Sequence, residues 1–141
     1  PNLARELLVE EKLVLVGSNP DTRVTAEDFI HVDWGPIFAA SFAASFPELA
    51  SPPVSISLGP LALSYLLSMG GCGYFRLGIV APFLRAGRLF RIPGAPEFSH
   101  STHIVHGAAM DREVLDRVRT GMRHAASAPV GLGPYASLAV P

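Results

Sequence analysis

Four features of this chain could do chemistry: a cluster of glycines, an arginine beside it, three closely spaced histidines and one cysteine. The stretch MGGCGYFRLG (residues 69–78) holds Gly70, Gly71, Gly73 and Gly78. A phosphate-cradling turn needs G-x-G-x-x-G after a strand and at the opening of a helix. Here the glycines follow a helix-like run and open a strand-like one, and Arg76 stands where the third glycine should be. That order predicts a helix stop and a tight turn, with Gly70 or Gly71 in a left-handed conformation. Tyr74, Phe75 and Arg76 then alternate in direction along a short strand. An arginine ending a strand of an α/β sheet points into the crevice where such sheets bind ligands. Its planar fork suits a carboxylate. The simpler alternative is a surface arginine in a local ion pair.

HSTHIVH places His100, His103 and His106 three residues apart. On a strand the middle one faces away from the other two, and on a helix the third leaves the shared face. No cysteine or acidic residue is spaced to complete a metal site. Cys72 has no activating partner in sequence and reads as a small buried residue. There is no G-x-S-x-G elbow, H-E-x-x-H pair or Walker loop, so nothing favours catalysis.

The elements that must position these residues follow from periodicity. KLVLVGS (12–18) reads as a strand ending in a turn, and DFIHVDW (28–34) as a second strand. GPIFAASFAASF (35–46) reads as a helix with Pro36 at its first position and Phe38, Phe42 and Phe46 on one face. PPVSISLG (52–59) is a strand, with Val54, Ile56 and Leu58 to one side. Leu61 to Met69 is a helix without charge, expected to be covered on most sides. After residues 74–76 come a helix (79–86) stopped by Gly87, a strand (88–92), a strand (101–106) and an amphipathic helix (110–125). Val114, Leu115, Val118 and Met122 form the apolar stripe of that last helix. Residues 126–141 read as a loose tail. Strands alternating with helices imply an α/β sheet, largely parallel, with helices on both faces. The two strand-to-helix turns, at Trp34 to Pro36 and Leu58 to Pro60, would bring free N–H groups to the edge reached by Arg76.

The bulk properties narrow the function. Across 141 residues, 49% are hydrophobic and 16% charged, and the net charge is −1. Such a chain should build a real core and carry apolar surface for a partner. Its arginines are scattered, unlike the basic stripe that duplex DNA demands. One cysteine permits no internal disulfide and favours a reducing compartment. No export leader opens the chain, and the apolar run 58–71 is broken by Gly59 and Pro60, short of the roughly 20 residues that span a bilayer. The chain begins at Pro1, so its natural start is expected to lie upstream.

Taken together, EKLVLVGSNP, FIHVDWGPIF, SLGPLALSYLLSMGGCGYFRLGIVAPFLRAGRLFRIPGAPEF and STHIVH resemble the C-terminal effector-binding region of LysR-type transcriptional regulators, over about residues 6 to 125. The resemblance lies in the order of an apolar helix (Leu61 to Met69), a Gly-x-Gly-apolar strand (Gly71 to Tyr74), a short helix (Ile79 to Ala86) and Gly87-Arg88-Leu89. Arg76-Leu77-Gly78 departs from it, since the family often has a proline there, so an effector contact would be altered. The resemblance implies a periplasmic-binding-protein-like three-layer α/β sandwich with a mostly parallel sheet, one complete lobe and part of a second. Residues 1–23 would be a remnant of the first lobe and a crossover strand. Residues 24–100 would be the second lobe, and 101–125 the return strand and closing helix of the first. It also implies a bacterial, cytoplasmic homo-oligomer without enzymatic activity, cofactor, metal or membrane contact. DNA would be reached only through a helix-turn-helix that this sequence does not contain. The effector would be a small organic acid or aromatic metabolite. By position, its cleft would include Asp33, Trp34, Gly35 and Pro36; Leu58, Gly59 and Pro60; and Tyr74, Phe75 and Arg76. A solute-binding protein for transport is the alternative, and an enzyme fragment of similar form a third. With one lobe half absent, effector binding should be weak or lost. Leu13 to Val16 and the helix at 111–124 should lose neighbours and be covered by a second copy.

Overall fold

The computed structural model describes residues 2–127. The tail expected at 126–141 falls, from residue 128 onward, outside the described residues. The first strand, β1, is far longer than its apolar half suggested and runs over Leu3–Gly17. The rest, in chain order, are β2 (Ile30–Val32), α1 (Pro36–Ser45), a single 3-10 turn (Pro47–Leu49), β3 (Val54–Ile56), α2 (Gly59–Met69), β4 (Cys72–Arg76), α3 (Leu77–Arg85), β5 (Phe90–Arg91), β6 (Phe98–Gly107) and α4 (Arg112–Ser127).

The expectation of a mostly parallel sheet is overturned. β4, β5 and β6 all pair with β1, and all three run antiparallel to it. Among the described residues, parallel pairing is confined to β2 with β3 and to a bridge joining Phe29 to Cys72. The physical reason is the length of β1. Its first residues, LARELLVEEK, carry charges on a ribbon with one lightly covered face, so they lack the apolar run of a buried strand. That half pairs with β6, with an irregularity between Leu7 and Val9. Along one edge β1 passes from β6 to β5, while β4 joins the other edge from Leu13, which is opposite both Phe98 of β6 and Arg76 of β4.

Alternation along β1 builds two cores. Val14 and Val16 join Ala62, Leu63, Leu66, Leu67, Val80 and Phe83, so α2 and α3 cover that face. Leu13 and Leu15 join Phe38, Phe42 and Tyr74, so α1 covers the other. Leu13 to Val16 are no more than 3% exposed. They did not lose their neighbours, contrary to expectation, because β4 and both helix layers are intrinsic to this chain. The stripe on α4 behaves differently. Leu115 is buried, but Val114, Val118 and Met122 are exposed, as are Leu3, Leu7 and Val105 on the ribbon. The cover expected on α2 is also incomplete, for Leu61 and Met69 at its ends are exposed.

The glycines of the opening stretch are explained by how closely β2 approaches β4. Gly70 and Gly71 have φ of +80° and +114°. A Cβ on Gly71 would lie 2.5 Å from the Asp28 carbonyl oxygen, and one on Gly73 would lie 2.9 Å from that of Ile30. The Cys72 N–H donates to the same Asp28 oxygen at 2.9 Å. Ser18, the one buried polar residue among those described, closes the turn: its N–H donates to the Gly71 carbonyl and its hydroxyl accepts from the Gly71 N–H. Cys72 is fully buried, and burial, reinforced by the charge of Asp28, pushes its thiol up to about 12. It is a packing residue with no nucleophilic character.

Candidate ligand site

Trp34 follows β2 and reaches across the end of the sheet. Its indole N–H donates to the Tyr74 carbonyl at 2.9 Å. Its six-membered ring lies over the start of α2, so close that a Cβ on Gly59 would come within 2.9 Å of it. The turns after β2 and β3 therefore meet beside β4. Both turns are built for this. The Asp33 carboxylate accepts from the Gly35 N–H at 2.8 Å, and Gly35, with φ +93°, delivers Pro36 to the first turn of α1. Leu58 precedes α2 without a side-chain cap, and Pro60 fills a position whose N–H would have no partner.

The remaining sequence-predicted residues divide by burial. Leu58 is 60% exposed at the rim. Tyr74 and Phe75 are each 1% exposed, so their side chains belong to the two cores. What Tyr74 offers the rim is its carbonyl, already used by Trp34, and its hydroxyl donates to the Pro96 carbonyl at 2.8 Å. Burial raises that hydroxyl's pKa, so it stays a donor.

Arg76 is not free. Its Nε donates to the Glu11 carboxylate. The registers explain the meeting: Glu11 is opposite His100, and Leu13 is opposite both Phe98 and Arg76. Directly paired residues point to the same side, so Glu11, Arg76 and His100 share one face at the place where β1 changes partners. His100 completes the rim, its ring edge-on to Trp34 with centroids 5.4 Å apart. Glu11 was missed from sequence. The signal available was its spacing, two residues from Leu13 and four from Leu15, which puts a carboxylate in line with an inward-facing row. His100 drew notice only as one of three histidines. Those three diverge: the His103 Nε2 accepts from the Arg5 guanidinium, and the His106 Nδ1–H donates to the Gly107 carbonyl. Among the described residues no group of histidine, cysteine and acidic side chains could hold a metal.

Two tests of this geometry follow. Gly59→Ala gains helix propensity of about 0.5–1 kcal/mol, offset by the clash with Trp34. Little net change in stability is expected, with a clear shift in indole emission; unchanged emission would mean the ring does not lie on α2. His100 has its pKa lowered by burial first and then by Arg76, while Glu11 opposes both. The folded chain thus holds it neutral, whereas the unfolded chain protonates it near 6.5. Stability contributed by neutral His100 is present above that pH and is lost as the pH falls through the lower folded-state value. In melting midpoints from pH 7 to pH 5, the native chain should lose more than His100→Gln does; parallel curves would refute this.

No protein-family model and no curated protein matches the chain. Solved structures do. The regulatory domain of HypT from Salmonella typhimurium is similar over 89% of this chain and 67% of its own, with TM-score 0.69 and 16% identity. Its full-length form is described as a hypochlorite-specific LysR-type transcriptional regulator, of which the chain spans 47%. VV2_1132, a LysR family transcriptional regulator, is similar over 86% of this chain and 43% of its own, with TM-score 0.64 and 12% identity. Full-length LysG from Corynebacterium glutamicum with bound effector Arg is similar over 89% and 47%, with TM-score 0.61 and 14% identity. The order of elements, the exchange of partners along β1 and these likenesses together give the chain the fold of the regulatory, effector-binding region of LysR-type transcriptional regulators.

Proposed function

We propose that the chain is the ligand-sensing part of a transcription regulator and that a small molecule binds beside Trp34, where the turns after β2 and β3 meet next to β4. The observation that carries this is the contact of one indole with both Gly59 and Tyr74. The lobe of residues 24–100 supplies most of the rim: Asp33 to Pro36, Leu58 to Pro60, and Arg76. β1 adds Glu11, which belongs to the crossover, and β6 adds His100 at the last position of the lobe. Trp34 offers an apolar face, Arg76 a charged donor and the helix starts free N–H groups. DNA contact would belong to another part of a longer protein. The exposed Leu3, Leu7, Val105, Val114, Val118 and Met122 support contact with a second copy. A clean monomer in light scattering would count against that.

Trp34 is the only tryptophan, so its emission reports the site directly. A panel of organic acids and aromatic metabolites should include at least one compound that shifts the emission and raises the melting midpoint. At a hundred times Kd the stabilisation is about 2.7 kcal/mol. For an acidic ligand, Arg76→Ala should weaken binding by about 1.5–3 kcal/mol, the worth of a charged hydrogen bond. The compound should be recovered unchanged. A panel without effect, or consumption of the compound, would sink the reading.

A further inference from the structure

The pairing of Glu11 with Arg76 leaves half of each group unused. Arg76 donates to Glu11 through Nε alone, and no other hydrogen bond to either side chain is found among the described residues. The outer edge of the guanidinium, which is the edge that grips a carboxylate in parallel, is still available. So is the second Glu11 oxygen. A Cβ on Gly78 would lie 3.3 Å from that oxygen, so glycine keeps it clear of a side chain on that side. Both groups line a hollow of about 530 Å³ between α3 and the last turn of α4. Arg85 lies in its wall, exposed and without an ion pair among the described residues. Ala125, Ala126 and Ser127 of α4 border it as well.

The hollow thus offers two guanidinium groups and one carboxylate. A simple acid would satisfy the arginines and meet repulsion from Glu11. A simple amine would do the reverse. We propose that this hollow is a binding site for small molecules carrying an ammonium group together with two carboxylates, the chemistry of an acidic α-amino acid. One carboxylate lies on the outer edge of Arg76, the second on Arg85, and the ammonium on Glu11. The proposal rests on the reading of Arg76 as a ligand-facing residue.

The test compares glutamate with glutarate, which has the same carbon chain and lacks only the ammonium group. Calorimetric titration of the whole chain should show glutamate bound about tenfold or more tightly, the equivalent of one charge-assisted hydrogen bond. Glu11→Gln should bring that ratio to parity or reverse it. Arg85→Gln, a change at an exposed position, should remove the preference for glutamate over 2-aminobutyrate, which lacks the second carboxylate. Glutarate bound as well as glutamate, an unchanged ratio in either variant, or no binding of either at about 10 mM would overturn the proposal. If other compounds of the metabolite panel still stabilise the chain, only this charge class has failed; if none does, the sensor reading has failed with it.

Discussion

Gly71→Ala is expected to destabilise the chain by about 3 kcal/mol or more, because two independent penalties coincide. With φ at +114°, the backbone there is one that residues with a side chain rarely adopt. The added methyl group would also sit 2.5 Å from the Asp28 carbonyl oxygen. Neither end of that contact can turn aside. The oxygen already accepts from the Cys72 N–H, and Gly71 is held by its two hydrogen bonds to Ser18. Relief would require β2 to move off β4, opening both cores. Gly87 is the control. Its φ is +68°, but no atom lies within 4 Å of a Cβ there, so alanine should cost only the left-handed strain of about 1–2 kcal/mol. Chemical denaturation of the two variants measures the difference. Equal losses would show that backbone conformation, and not the close approach of two strands, fixes the glycine.

Tyr74→Ala should cost about 3–5 kcal/mol, as for other fully buried aromatic residues. Tyr74 is 1% exposed and its ring meets Phe38, Phe42, Phe46 and Phe98, with centroids between 5.0 and 6.2 Å away. These residues come from α1, its end, and β6, so one side chain ties three pieces of the chain together. Tyr74→Phe keeps the ring and removes the hydrogen bond to the Pro96 carbonyl, which should cost about 1 kcal/mol. The contrast between the two variants in urea midpoints isolates packing from hydrogen bonding. A phenylalanine variant as damaged as the alanine one would place the stability in the hydroxyl.

Much of this fold was legible because local chemistry and tertiary structure agree. The phenylalanines at 38 and 42 face inward as their spacing predicts, Pro36 opens α1, and Gly87 follows the end of α3. The nearness of two of the reversals was legible for a similar reason: strand ends followed by Gly-Pro mark the turns at Gly35 and Gly59, and Trp34 lies against the second. Strand direction was not. Nothing in KLVLVGS says which way its neighbours run, and the charged residues preceding it hid the fact that they continue the same strand. The partner of Arg76 was also hidden, for 65 residues separate it from Glu11 and only the registers of β4 and β6 bring them together. The stripe on α4 illustrates a different limit. Periodicity marks Val114, Val118 and Met122 as a face to be covered, yet says nothing of what covers it.

β1 passes without a break from the ribbon to the centre of the lobe, and its fifteen residues span about 50 Å. Its neighbours change near Leu13 while the backbone there stays extended, and the ladder to β6 is irregular between Leu7 and Val9. On the ligand-sensing reading proposed above, a guest beside Arg76 would bear on the strand that carries Glu11 and continues out to the ribbon.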